Sequence, residues 1–153
     1  MEPILLYNSE TWILTSNLEE SLDSFHRRLL RIAININYPK IITNEKLYTL
    51  TNETPLSEKI KRRRLQLFGH ILRLDPETPA QCALQYYTTP HRRPVSRPVT
   101  TWITQLTEDL TNTIKHHKIK KPLNKVSLEP LGRLASDRTG WRYEITRSTR
   151  GNS

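Results

Sequence analysis

The sequence predicts an all-α protein, a small bundle of about five helices interrupted by a basic, proline-rich loop. Three observations predict it. Apolar residues recur at intervals of three and four along several segments, Ser, Thr or Asn stands ahead of most of these segments as a helix cap, and no segment alternates apolar and polar residues as a half-buried strand would. With 153 residues, 35% of them apolar, the chain has room for one domain or two small lobes around a lean core.

Residues 4–14 form a short apolar and aromatic segment with Leu5, Leu6, Tyr7, Trp12 and Ile13. A capping box, Ser16-x-x-Glu19, then opens a helix, because its hydroxyl and carboxylate can satisfy the first orphan amides. Leu18, Leu22, Phe25, Leu29, Ile32 and Ile36 follow at alternating spacings of four and three, which makes one narrow apolar seam. His26, Arg27, Arg28 and Arg31 fall mostly off that seam, and Pro39 ends the element at the latest. A short helix is expected at 44–50, capped by Thr43 or Asn44.

Thr54-Pro55 suits the next start, with Thr as cap and Pro at the first helical position. Leu56, Ile60, Leu67, Phe68, Ile71 and Leu72 mark the buried side of this helix, and Asp75-Pro76 closes it. Lys59, Lys61, Arg62, Arg63 and Arg64 cover more than half the circumference of its middle turns, so one neighbour cannot hide all of their charge. Pro79 delays a piece at about 80–87. Pro90, Pro94 and Pro98 then forbid a regular ladder or helix and leave an extended basic loop. Thr100 or Thr101 caps a helix carrying Trp102, Ile103, Leu106 and Leu110, and a polar linker containing His116 and His117 leads to a last helix at 128–147 with Leu131, Leu134, Trp141 and Ile145. The resulting division is a segment at 1–14, a basic helical lobe at 15–75, a connecting segment with the basic arm at 76–99, a C-terminal lobe at 100–147 and a disordered tail at 148–153.

Charge narrows the function. With 24 Lys and Arg against 15 Asp and Glu, the formal net charge of +9 favours a polyphosphate or an acidic surface as partner. The cations concentrate at 59–73 and 91–97, which points to nucleic acid held by phosphate contacts from Lys61, Arg62, Arg63, Arg64 and Arg73 on the helix and from Arg92, Arg93 and Arg97 on the loop. The bland alternatives are a solvated helix face with internal ion pairs, and a plain linker. Trp12, Phe25, Phe68, Trp102 and Trp141 each lie in an apolar pattern and read as core anchors rather than base-stacking platforms.

Little supports catalysis by this chain alone. The aspartates, Asp23, Asp75, Asp109 and Asp137, are never paired as two-metal phosphoryl transfer requires. No nucleophile elbow or glycine-rich phosphate loop occurs, with only four glycines in the chain. His116-His117 lacks the companion spacing of a zinc site, and His70 reads as a buried, hydrogen-bonded histidine rather than a general base. No metal, cofactor or small-molecule substrate is expected. A single cysteine, Cys82, reads as a small buried hydrophobe and suits a reducing compartment. No apolar stretch approaches the roughly 20 residues that span a bilayer, and no secretory signal pattern opens the chain, so a soluble intracellular protein is expected.

Five strings, in this order, carry a family resemblance: Leu6-Tyr7-Asn8-Ser9-Glu10-Thr11-Trp12; Phe25-His26-Arg27-Arg28-Leu29-Leu30-Arg31; Arg62-Arg63-Arg64-Leu65 with Phe68-Gly69-His70-Ile71-Leu72-Arg73; Arg97-Pro98 with Thr101-Trp102; and Ala135-Ser136-Asp137-Arg138 with Trp141-Arg142. Over nearly its whole length the chain resembles the region downstream of the reverse transcriptase core in non-LTR (LINE-type) retrotransposon endonuclease/reverse transcriptase polyproteins. It departs from the family at Asn8 and Ser96, where the family usually has glycine, and it contains neither the endonuclease nor the polymerase palm. The resemblance implies a fragment of an RNA-directed DNA polymerase that adjoins the thumb and holds RNA or target DNA, favours the nucleus over the cytoplasm, and implies that residues 4–14 lost their packing partner. A helical protein-interaction module using that apolar segment, or an inert structural remnant, is the competing expectation.

Overall fold

A computed structural model describes residues 2–36, 39–89, 100–114 and 123–150. The protein is all-α. Among the described residues, seven helices have eight residues or more, against the five expected: α2 (Ser16–Ala33), α3 (Asn44–Thr51), α4 (Leu56–Leu72), α5 (Pro79–Thr88), α6 (Trp102–Thr113), α7 (Lys125–Ser136) and α8 (Arg138–Arg150), preceded by a single turn, α1 (Glu2–Leu5). The chain packs as two compact units, Met1–Ile13 with Arg62–Ser153, and Leu14–Lys61. The sequence reading put all of α4 in a lobe at 15–75, but Leu65 and Phe68 belong to the core of the larger unit.

In the smaller unit, α2 begins one residue earlier than the capping box requires. Thr15 is the N-cap, with extended backbone and no side-chain bond, and its carbonyl accepts from the Glu19 amide at 3.0 Å. Thr43 caps α3 as expected, accepting from the Lys46 amide at 3.3 Å. The start of α4 is capped from outside its own segment: the Asp23 carboxylate accepts from the Ser57 amide at 3.0 Å and from the Ser57 hydroxyl at 2.6 Å. A carboxylate there also meets the positive end of the helix dipole. Asn35 and Asn52, just past α2 and α3, take left-handed backbone with φ of 54° and 51°, a conformation Asn tolerates better than most residues.

The seam of α2 is not the buried side. Leu18, Phe25 and Ile32 remain 50%, 49% and 60% exposed, so Phe25 is not a core anchor, whereas the next residue, His26, is buried with its ring centroid 6.2 Å from that of Tyr48. One residue is about 100° of rotation on a helix. Polar contacts fix the orientation: Asp23 holds Ser57, and Arg31 donates to the Asn44 side chain at 2.8 Å. Burial pushes the Tyr48 hydroxyl above its ordinary value of 10, with the neighbouring Arg27 guanidinium opposing.

The larger unit holds a continuous apolar core of Leu65, Phe68, Leu84, Leu106, Leu110, Ile114, Leu123, Leu131, Ala135, Trp141 and Ile145. The helix expected at 128–147 is two helices. Asp137 breaks it with non-helical backbone, φ −80° and ψ 98°, and its carboxylate accepts from the Thr139 amide at 3.0 Å, which favours a fresh start. The second of these helices continues to Arg150, beyond the expected end at 147, so the tail expected from 148 is helical for its first three residues. Pro79 opens α5 as its first residue instead of delaying it, since the missing amide is one that needs no partner there. Cys82, on that short surface helix, is exposed rather than buried.

Residues 4–14 have not lost their partners. The Leu6 carbonyl accepts from Arg63 at 2.7 Å, the Trp12 carbonyl from Arg64 at 3.2 Å, and the Glu10 carbonyl from the Trp102 indole at 2.8 Å. Asn8, where the resembled family has glycine, adopts φ 56° and ψ 20°, so the turn survives the change of residue.

Candidate phosphate-binding pocket

Near its end α4 presents Gln66 and His70 at spacing i, i+4, and Arg73, in the turn directly after the helix, follows at i+7 on the same side. The first turn of α8 presents Arg138, Trp141 and Arg142 at i, i+3 and i+4. Within the larger unit these six residues line one pocket of about 160 Å³.

Trp141 locks the two helices in that relation. Its indole is buried among the core residues, its Nε1–H donates to the Leu65 carbonyl at 3.1 Å, and its ring lies 6.2 Å from that of Phe68. The approach depends on Gly69. A Cβ there would overlap Nε1 and lie 2.6 Å from Cε2 and 2.7 Å from Cδ1 of the indole, well inside van der Waals contact. A second tie comes from Arg73, whose Nη1 donates to the Ala135 carbonyl at 2.9 Å. That carbonyl lies near the end of α7, where a cation also meets the negative end of the helix dipole.

The lining carries three guanidinium groups and one imidazole, and no carboxylate. Arg138, Arg142 and His70 are exposed. Arg73 spends one donor on Ala135 and keeps others, because a guanidinium has five N–H groups. Clustered like charges raise the local potential and favour an anion, and the fork of each guanidinium matches phosphate or carboxylate oxygens two at a time. Three arginines offer nothing to a metal ion, and among the described residues no group of three His, Cys, Asp or Glu residues comes together.

The expected nucleic-acid contacts fare unequally. Arg64 is 1% exposed and forms a buried ion pair with Asp109 while donating to Trp12, so it is a structural residue and not a phosphate ligand. The physical reason is its position: Ile60, Arg64 and Phe68 are successive residues of one i, i+4, i+8 row, and Ile60 and Phe68 are fully buried. Arg63 binds the Leu6 carbonyl and stands 3.9 Å from the Glu10 carboxylate. Lys61 lies 3.8 Å from Glu58 one turn earlier, and Arg62 is half-buried. Arg73 lines the pocket. Arg92, Arg93 and Arg97 lie outside the described residues, as do His116 and His117.

Of the expected core anchors, Phe68 and Trp141 are buried and Trp12 and Trp102 are half-buried. His70 is exposed at the pocket instead of buried, because it falls on the Gln66 and Arg73 face rather than the Phe68 face. Sequence reasoning missed Gln66, Arg138 and Arg142. A signal for them existed in the helical spacing and in the third and fifth strings of the family resemblance: Phe68-Gly69-His70-Ile71-Leu72-Arg73 and Ala135-Ser136-Asp137-Arg138 with Trp141-Arg142 meet around this pocket. No protein-family model matches the chain, and no curated protein or solved structure matches it.

Proposed function

We propose that this protein binds nucleic acid through phosphate contacts, with Arg73, Arg138 and Arg142 as the principal ligands, His70 and Gln66 as flanking donors, and Arg62 contributing from the same helix as His70. One observation carries the reading: three arginines and a histidine surround a single pocket with no carboxylate to neutralise them. The net charge of +9 supports a polyanion over a small acid. Contacts of this type hold the backbone and release counterions, so they position a strand without reading its bases. The five strings that resemble the post-polymerase region of LINE-type reverse transcriptases support the same assignment, with RNA or target DNA as the polymer held and no polymerase or endonuclease chemistry in this chain. Arg92, Arg93 and Arg97 add cations in the proline-rich segment and belong to the proposal on sequence grounds alone.

The test is fluorescence anisotropy of labelled structured RNA and duplex DNA against the purified chain across a salt series, beside the double variant Arg138→Ala/Arg142→Ala and the single variant Arg62→Ala. Saturable binding that weakens steeply with salt, and that the double variant loses by a larger factor than Arg62→Ala, is the expected result. Absence of binding by the folded chain, or binding untouched in the double variant, overturns the assignment.

A further inference from the structure

The pocket between α4 and α8 gathers more positive charge than a phosphate inside a nucleic-acid strand can neutralise. Such a phosphodiester carries a single negative charge and two free oxygens, which offer one edge to a guanidinium fork. Three guanidinium groups line the pocket with no carboxylate among them. Neither Arg138 nor Arg142 makes an ion pair among the described residues. Asp137, the acid next to Arg138 in sequence, is taken up by the Thr139 amide at 3.0 Å. Arg73 is half-buried and tied to the Ala135 carbonyl at 2.9 Å, so one of the three guanidinium groups is held in place before a ligand arrives.

A phosphomonoester matches this lining better. At pH 7 it carries a charge of about −1.5 to −2 and presents three terminal oxygens, whose three edges can each receive one fork. The depth of the pocket favours it as well. Trp141, 1% exposed, closes the pocket on the core side, and its indole N–H is already given to the Leu65 carbonyl. Gln66, His70, Arg138 and Arg142 are exposed and form the rim. A group with one ester bond can turn all three free oxygens inward from that rim. An internal phosphate has to keep two chain substituents outside and turns only two oxygens inward.

We infer that the pocket receives the terminal phosphate of a nucleic-acid strand, so that the protein recognises strand ends rather than strand interiors. This rests on the phosphate-contact reading of the same pocket and states which phosphate enters it. The net charge of +9 favours an oligonucleotide end over a phosphorylated protein side chain, because the rest of the strand is attracted by the same field.

Fluorescence anisotropy on the purified full chain tests it, with one internally labelled single-stranded oligonucleotide carrying a 5′-phosphate, a 3′-phosphate or hydroxyls at both ends. A phosphorylated form should bind about tenfold or more tightly than the hydroxyl form, the equivalent of one further charge-assisted hydrogen bond. Methyl phosphate should displace it at concentrations where dimethyl phosphate does not. Arg138→Ala/Arg142→Ala should erase the difference between ends with circular dichroism unchanged, since both residues are exposed. Arg62→Ala should weaken all three forms by the same factor and preserve that difference. Equal affinity for the three forms overturns the inference and leaves phosphate contacts along the strand standing, whereas absence of binding to every form overturns both readings. An end preference that survives in the double variant, or a phosphoserine peptide that binds as tightly as the phosphorylated oligonucleotide, also overturns the assignment.

Discussion

Arg62, Arg63 and Arg64 are adjacent in sequence and separate in function, whereas Arg73, Arg138 and Arg142 are scattered in sequence and share one pocket. Helix geometry explains both halves of the contrast. Consecutive residues diverge by about 100°, so a run of three cations spreads around the helix, and each meets what lies on its own side. For Arg64 that is Asp109 in the interior, and for Arg63 the carbonyl of Leu6. Residues three, four or seven apart converge instead, and two such faces, held together by Trp141, gather their cations. A cluster of charge in sequence is therefore weaker evidence for a binding site than charge repeated at helical intervals.

The contrast can be broken most forcefully at Arg64. Arg64→Ala removes one partner of the buried ion pair with Asp109, and a cost of about 3–5 kcal/mol is expected for such a removal. Chemical denaturation should show that loss, and replacing both residues with apolar ones, Arg64→Met with Asp109→Leu, should recover much of it. A phosphate ligand would behave in the opposite way, with affinity lost and stability kept.

Next in size is Gly69→Ala, whose methyl group would enter the indole of Trp141. Overpacking of this kind costs about 1–3 kcal/mol, against a gain of up to about 1 kcal/mol in helix propensity. The net effect should be destabilising and accompanied by a shift in tryptophan emission. Phosphate binding should weaken with it, since the same contact sets the distance between the two arginine-bearing helices.

Arg138→Ala/Arg142→Ala should reverse that pattern. Both residues are exposed, so stability should stay within about 0.5 kcal/mol. Affinity for duplex DNA should fall, and the slope of log affinity against log salt should become shallower by about 0.9 for each phosphate contact removed. An unchanged slope would return these arginines to the status of surface charge.

The smallest expected effect lies in the smaller unit. Burial of Tyr48 raises its value in the folded state above 10. The associated stability is complete below pH 10 and declines as pH climbs through the raised value, because the unfolded chain then releases the phenolic proton more readily. Tyr48→Phe should flatten the alkaline limb of a thermal stability profile.

Much of the fold was legible along the chain, and the reason is local. Thr43 and Thr101 cap helices where their hydroxyls can reach the third amide, and Pro79 and Asp75-Pro76 mark boundaries through backbone chemistry that needs no distant partner. Burial was less legible. Phe25 and His26 exchanged roles because Asp23 reaches Ser57 and Arg31 reaches Asn44, contacts spanning 34 and 13 residues that rotate the helix away from its most apolar side. The break at Asp137 was missed because an aspartate inside an apolar pattern can stay helical or cap a new helix, and local pattern does not choose between them.

By itself the sequence determined that the chain is helical, that it carries a strong positive charge, and where most helices begin, since these follow from side-chain periodicity, composition and capping within a few residues. Tertiary structure decided which cations face solvent. Burying a guanidinium is tolerable only where a carboxylate arrives from elsewhere in the chain, as Asp109 does for Arg64, and a pocket forms only where two helices approach closely, as Gly69 and Trp141 allow.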